Sequence, residues 1–325
     1  MIRFFGDNRP LALFFLPLIV LLYHLSYHFF YTPFGPLDLD FGWWGNTAIK
    51  NGKASLFYES LAAFWVLVNA ILLNFVFNSA ELNEKNTYLP SLNFIVFFAL
   101  SPNFYELSGV HLAFSFLILA LHQFLQLDQN KSGSSKIFNS GLFLGLASTF
   151  YPPLILLFPI GISMYLVFRP FLLSEFKFYL FGWTIPFIYL LSWSFIKDAN
   201  LHFFTFGFNQ NFAEATWQST IEKAGFAAIL IVGMIGVISK SRMANNRFKK
   251  EIQLVNILGA SLLVSYVFSG FQLSYKIATE LFILPLSIYM TFSLLTKRLQ
   301  IASSLVYYIL FIVGLFMFLI LNLLR

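Results

Sequence analysis

The 325-residue chain is 58% hydrophobic and 10% charged, with a net charge of +6. Soluble domains carry about 25% charged residues, so this usage, drawn out over long apolar runs, excludes an ordinary soluble protein and places the chain in a bilayer. The absence of cysteine excludes disulfides, thiolate metal sites and thiol nucleophiles, and the basic excess reads as cytoplasmic loops that set orientation, not as a nucleic-acid surface.

Apolar windows predict about eleven transmembrane helices, near 11–31, 58–79, 88–103, 107–127, 138–151, 153–168, 178–195, 223–239, 252–269, 276–295 and 302–324. The expectation is an all-α polytopic bundle, one integral membrane domain over 1–325. Arg3 and Arg9 precede the first apolar run as in a secretory signal, but no small-x-small cleavage pattern follows. That run is therefore expected to be a retained first helix. His24 and His28 stand at i, i+4 in its outer half, on one face. With Asp38 or Asp40 they would compose a two-histidine, one-carboxylate site for a divalent metal ion; the alternative is hydrogen bonding to neighbouring helices.

The outer loop 32–57 follows, with the stretch "FGPLDLDFGWWGN" from Phe34 to Asn46. Thr32-Pro33 and Gly35-Pro36 are turn signals. Phe41, Trp43, Trp44, Ala48 and Ile49 predict a short helix lying in the membrane interface, with Asp40 at its N-cap. Two readings of the acids stand side by side. In one, the tryptophans belong to the interfacial aromatic belt and Asp40 only caps a helix. In the other, Asp38 and Asp40 deprotonate a hydroxyl acceptor or hold a divalent cation against a phosphate.

Asn69, Asn74 and Asn78 mark the second span and read chiefly as amide contacts between helices. Glu106 and His111 flank the outer end of the fourth. Tyr151-Pro152-Pro153 interrupts the apolar stretch from Ile137 to Phe168 and predicts two short helices meeting at the outer face. A second long outer loop, about 196–222, offers Glu214 and Trp217 to an acceptor sugar, Trp217 by stacking; the alternative is an interfacial helix. Lys276 and Glu280 form an i, i+4 pair at the outer end of the tenth span, either a phosphate contact through Lys276 or a self-satisfied ion pair.

A cytoplasmic N-terminus leaves only Lys50, Lys53, Lys197, Lys223, Lys276 and Arg325 of the 20 basic residues on the outer side, in keeping with the positive-inside rule. The candidate polar groups His111, Glu214, Trp217 and Lys276 then share the outer side with Asp38 and Asp40.

The order of a first helix, an outer loop with an acidic pair near its start, an interfacial aromatic helix, an "NG" turn and a second helix resembles the membrane-embedded C-type glycosyltransferases over residues 1–195. That resemblance implies a helical core of about seven spans. It also implies transfer of a sugar from a polyprenyl-phosphate donor at the outer face of the inner membrane, with Asp38 and Asp40 at the position of the catalytic acid. Residues 196–325 would add the second outer loop and four C-terminal helices. "NEKNTYLP", "GLASTFYPP" and "RPF" are similar to a family of polytopic inner-membrane proteins of Bacteroidota, a likeness that implies location and not activity. Two other readings remain at this point. One is a non-catalytic scaffold or subunit of a cell-envelope complex with membrane-protein partners. The other is a transporter, disfavoured because charges avoid the bilayer midplane.

Overall fold

A computed structural model describes residues 1–7, 9–30, 37–49, 52–128, 133–197, 217–242, 244–272 and 279–323. These residues form helices α1 (Ile2–Gly6), α2 (Leu11–Phe30), α3 (Gly52–Ser79), α4 (Leu89–Phe98), α5 (Gly109–Leu125), α6 (Ser134–Phe150), α7 (Leu157–Leu166), α8 (Leu173–Ile196), α9 (Trp217–Ser241), α10 (Asn246–Gln272), α11 (Ile283–Leu295) and α12 (Gln300–Leu323). One β-hairpin, β1 (Leu37–Asp40) and β2 (Asn46–Ile49), interrupts the helical order.

Each window expected to cross a membrane holds a helix, but length separates two kinds. Among the described residues, five segments are long and apolar enough to cross: Leu11–Phe29, Leu56–Ser79, Leu173–Ile196, Ile221–Ser241 and Gln300–Met317. The chain thus has the makings of a membrane protein. By contrast, α4 and α7 have 10 residues each and α11 has 13. At about 1.5 Å per residue they reach roughly 15–20 Å, well short of an apolar layer about 30 Å thick. The expectation of about eleven crossings narrows accordingly to five helices of crossing length, with shorter apolar helices among them.

Helices α4 and α11 survive because protein covers them. Every residue of α4 is buried, as is α11 from Ile283 to Leu294. Asn93 on α4 donates through Nδ2 to the Ser287 carbonyl at 3.2 Å and to Thr291 Oγ1 at 3.0 Å, fastening α4 to α11. On its other side α11 meets α9 where Gly233 and Gly236 leave room: a Cβ on Gly233 would lie 2.7 Å from Cβ of Tyr289. Ser293 Oγ there donates to the Val232 carbonyl at 2.7 Å. Helix α2 closes against α12 through Tyr23 Oη, which donates to the Phe311 carbonyl at 3.3 Å, and Ser26, which bonds the Leu315 carbonyl. Close approach through small residues, backed by side-chain hydrogen bonds, is how helices associate where lipid removes the hydrophobic drive. Phe14, Phe29, Phe181, Phe195 and Ile301 face outward from α2, α8 and α12.

The proline break falls where the sequence puts it. Helix α6 ends at Phe150, Pro152–Leu156 forms a 3-10 turn, and α7 returns against α6 and α10. The tightest helix pair is α6 with α8. Gly141 and Gly145 face the backbone of Tyr179 and Trp183, and Gly182 faces that of Phe138. A Cβ on Gly145 would lie 2.5 Å from the Trp183 carbonyl oxygen, and one on Gly182 would collide with the Phe138 carbonyl. Backbone cannot step aside as a side chain can. Gly182→Ala is therefore expected to cost about 1–3 kcal/mol, read as a lower unfolding temperature in detergent, whereas Ala147→Gly should not reproduce it as a steric effect. An unchanged melting curve for Gly182→Ala would contradict this account of the pair.

Candidate polar centre at the hairpin end

The loop after α2 is a hairpin, not the interfacial helix that its aromatics predict. β1 and β2 pair antiparallel in the register Leu37 with Ile49, Asp38 with Ala48, Leu39 with Thr47 and Asp40 with Asn46. Gly42 (φ 65°) and Gly45 (φ 113°) take positive φ on either side of the tryptophans, which confines helical backbone to a 3-10 turn over Gly42–Trp44. L-residues rarely adopt such angles, so glycine at these positions permits the turn and ends the helix. Asp40 is exposed, and its Oδ1 accepts the Gly42 N–H at 2.8 Å. The expected capping role survives in this smaller form.

The hairpin tip is clamped to helix ends. A Cβ on Gly42 would lie 2.5 Å from the Phe150 carbonyl oxygen at the end of α6. Gly109, the first residue of α5, faces the same carbonyl, and a Cβ on it would lie 3.2 Å from the Asp40 carbonyl oxygen. Trp44 stacks on Phe150 with centroids 5.8 Å apart and donates through Nε1 to Thr149 Oγ1 at 3.2 Å. Trp43 packs edge-on to Phe187 of α8 at 5.7 Å, and Phe187 meets Trp183 at 4.5 Å. Trp43 is only 7% exposed, so its ring is held by protein and not by a lipid interface. Leu39 is buried with Ala62 and Leu107 beneath the strand.

Beside the clamp lies a buried polar centre around the α4–α5 connection. His111, in the first turn of α5, is fully buried. Its Nδ1 accepts the Ser108 N–H at 3.3 Å, which places the proton of the neutral ring on Nε2. No hydrogen-bond partner for Nε2 is present among the described residues. The His111 carbonyl takes a bond from Asn69 Nδ2 at 2.8 Å. Asn69 Oδ1 accepts from Ser115 Oγ at 2.6 Å, and Trp65 Nε1 donates to Ser115 Oγ at 3.0 Å. Asn69 thus joins α3 to α5 as an amide contact. On the facing helix, His24 stacks on Phe104 at 5.3 Å and meets Tyr105 edge-on at 5.3 Å, with its Nε2 likewise buried and unpartnered. The two imidazoles lie within electrostatic reach of each other. Glu280, just before α11, is buried and accepts at Oε1 from Ser101 Oγ and from Asn103 Nδ2, the latter at 2.8 Å.

The sequence-predicted residues divide accordingly. The end of β1 meets the start of α5: the Asp40 backbone lies against Gly109, two residues before His111, but the Asp40 side chain is exposed while His111 is buried. His24 joins that region from α2, while His28 is exposed, so the expected pair of histidines does not converge. No group of three or more His, Asp or Glu among the described residues is arranged to hold a metal ion. The backbone of Asp38 pairs with Ala48, and α9 begins at Trp217. The side chains of Asp38 and Trp217, together with Glu214 and Lys276, lie outside the described residues. Ser101, Asn103 and Tyr105 were not singled out from sequence; the turn-rich "SPNFYELSG" between two apolar runs was their only signal.

No protein-family model, no curated protein and no solved structure matches the chain. Burial of Trp43 against the exposure of Trp193 (45%) gives a direct optical test of the clamp. In bilayers containing brominated phospholipid, Trp193→Phe should remove much more of the quenchable tryptophan fluorescence than Trp43→Phe. The reverse order would place Trp43 in lipid.

Proposed function

We propose that this chain is a glycosyltransferase-like membrane enzyme that uses a polyprenyl-phosphate sugar, with Asp40 as its general base, at the outer face of a bacterial inner membrane. One juxtaposition supports the reading: the backbone of Asp40, whose carboxylate is exposed on a rigidly clamped turn, lies against Gly109, the first residue of a 17-residue helix. The start of a helix carries the positive end of the peptide dipole, an environment suited to phosphate. In the proposed step Asp40 takes the proton of an acceptor hydroxyl, and the hydroxyl oxygen attacks the anomeric carbon. The bond from that carbon to the phosphate oxygen breaks, and polyprenyl phosphate departs with the electron pair. Charge on the departing phosphate develops beside α5.

A second reading is favoured by a specific observation. Asp40 already accepts the Gly42 N–H, and both tryptophans fasten the hairpin to α6 and α8. The same parts would serve a non-catalytic subunit of a cell-envelope complex, with the hairpin as a structural cover.

Asp40→Asn separates the two. It keeps an acceptor for Gly42 but cannot take a proton. Removal of a general base is expected to slow transfer from a synthetic polyprenyl-phosphate sugar by about 100-fold or more in nanodiscs, with the melting temperature unchanged. Full transfer by a folded Asp40→Asn protein would exclude Asp40 as base. Absence of transfer by the wild type, combined with loss of a co-purifying membrane partner on hairpin disruption, would establish the subunit.

A further inference from the structure

The tight pairing of α6 with α8 leaves a groove on its outward side. Gly141 faces Tyr179 and Gly145 faces Trp183, so the two helices run in the same direction with their backbones nearly touching. Side chains beside such a contact have no room between the helices and stand along its edge. There Ser134, Ser135 and Phe138 of α6 and Phe178 and Phe181 of α8 enclose about 430 Å³. Phe178 and Phe181 are exposed, as are Leu180 and Ile188 on the same helix. Helix α8 is one of the five segments of crossing length, so in a bilayer this face meets acyl chains.

The rim of the groove, at the helix starts, is polar and basic. Lys177 stands one turn before Phe181, at i, i+4 on the same face of α8, and is exposed. It forms no hydrogen bond or ion pair among the described residues, and the hydroxyls of Ser134 and Ser135 bond none of them either. The neighbouring charges are committed. Arg169 pairs with Glu175 at 2.8 Å and donates to the Asp128 carbonyl at 2.7 Å, and Lys136 donates to the Gln126 carbonyl. No carboxylate lines the groove. In the orientation set by the charge bias this rim lies on the cytoplasmic side. A lysine at that level can extend its stem along an apolar wall and keep its ammonium among the lipid headgroups, where anionic lipid attracts it.

We propose that the groove binds one anionic phospholipid of the bilayer, with an acyl chain against Phe138, Phe178 and Phe181 and the headgroup phosphate at Lys177, Ser134 and Ser135. An apolar slot that ends at an uncommitted cation and two hydroxyl donors matches a molecule with an apolar chain and an anionic head. A partner helix fits less well. The volume equals about one turn of a helix 10–12 Å across, too little to seat a span. The groove lies at the start of α6, the other end of that helix from the hairpin turn, and it does not depend on sugar transfer.

Native mass spectrometry of the whole protein in detergent tests this, with phosphatidylglycerol or phosphatidylcholine of the same acyl chains as the added lipid. One phosphatidylglycerol is expected to bind saturably, at least about fivefold tighter than phosphatidylcholine. Lys177→Gln should remove that preference and leave phosphatidylcholine binding unchanged, whereas Phe181→Ala should weaken both lipids alike. Both side chains are exposed, so both variants should keep the wild-type melting temperature. Equal binding of the two lipids by the wild type, or a preference that survives Lys177→Gln, would overturn the proposal. Full competition by soluble glycerol phosphate at matched ionic strength would also overturn it, because the groove would then have no part in binding. A dimer lost on Phe181→Ala, in place of the lipid adduct, would give the groove to a second copy of the chain and overturn it as well.

Discussion

A backbone that ends inside an apolar layer has nowhere to place its terminal N–H and C=O groups unless protein supplies the partners. This constraint governs the arrangement. Helices α4 and α11 end within the bundle, so they lie at its centre, covered on all sides. Five helices have the length and apolarity to cross a membrane, and the short α4 and α11 form a buried inner pair. Asn93, Ser287, Thr291 and Ser293 supply the polar contacts between them, and Gly233 and Gly236 supply the proximity. The end of α6 is met in the same way, from outside the helical set: the turn at Gly42 closes over the Phe150 carbonyl, and Thr149 receives the indole N–H of Trp44.

Both polar regions grow out of such helix ends. At the hairpin end, the finish of α6 and the start of α5 hold the turn that carries Asp40, and the connection from α4 brings Ser101 and Asn103 to Glu280. At the opposite end, the finishes of α3, α9 and α11 surround an open volume of about 900 Å³. Helix α3 links the two: its 28 residues extend about 42 Å from the base of the hairpin to the rim of that volume. The protein therefore has two chemically distinct ends, one where the turn that carries Asp40 lies beside a helix start and one where Glu81, Glu84 and Glu251 lie among helix finishes.

Much of this was legible in the residues. Apolar run length located the helices, and Tyr151-Pro152-Pro153 located the break, because proline acts on its immediate neighbours. The inner pair was not legible. A helix that is apolar all round reads alike whether lipid or protein surrounds it, so burial of α4 and α11 left no mark in composition. The hairpin was misread for a related reason. "LDLD" alternates with the period of a strand, but the aromatic cluster after it suggested an amphipathic helix, and only the positive φ of Gly42 and Gly45 decides between them. The partners of Glu280 lie about 180 residues away in sequence, and the left-handed angle of Glu81 (φ 54°), just past α3, follows from the packing of buried Leu82. Contacts of this kind arise only once the chain is folded.

The clamp on the hairpin also sets an order of events. Its tryptophans lie between α2 and α3, but the surfaces that hold them belong to α6 and α8, which leave the ribosome later. Trp44 reaches Trp193 across 6.3 Å in the finished fold. At synthesis rates of about 5–20 residues per second, roughly 7–30 seconds separate the two residues during translation. The tip has no seat until α6 has followed, and the contacts of Trp43 with Phe187 and of Trp44 with Trp193 wait for α8. The last turns of α8 thus act as the latch of a loop threaded early, so the hairpin end becomes whole only when more than half of the chain is in the membrane.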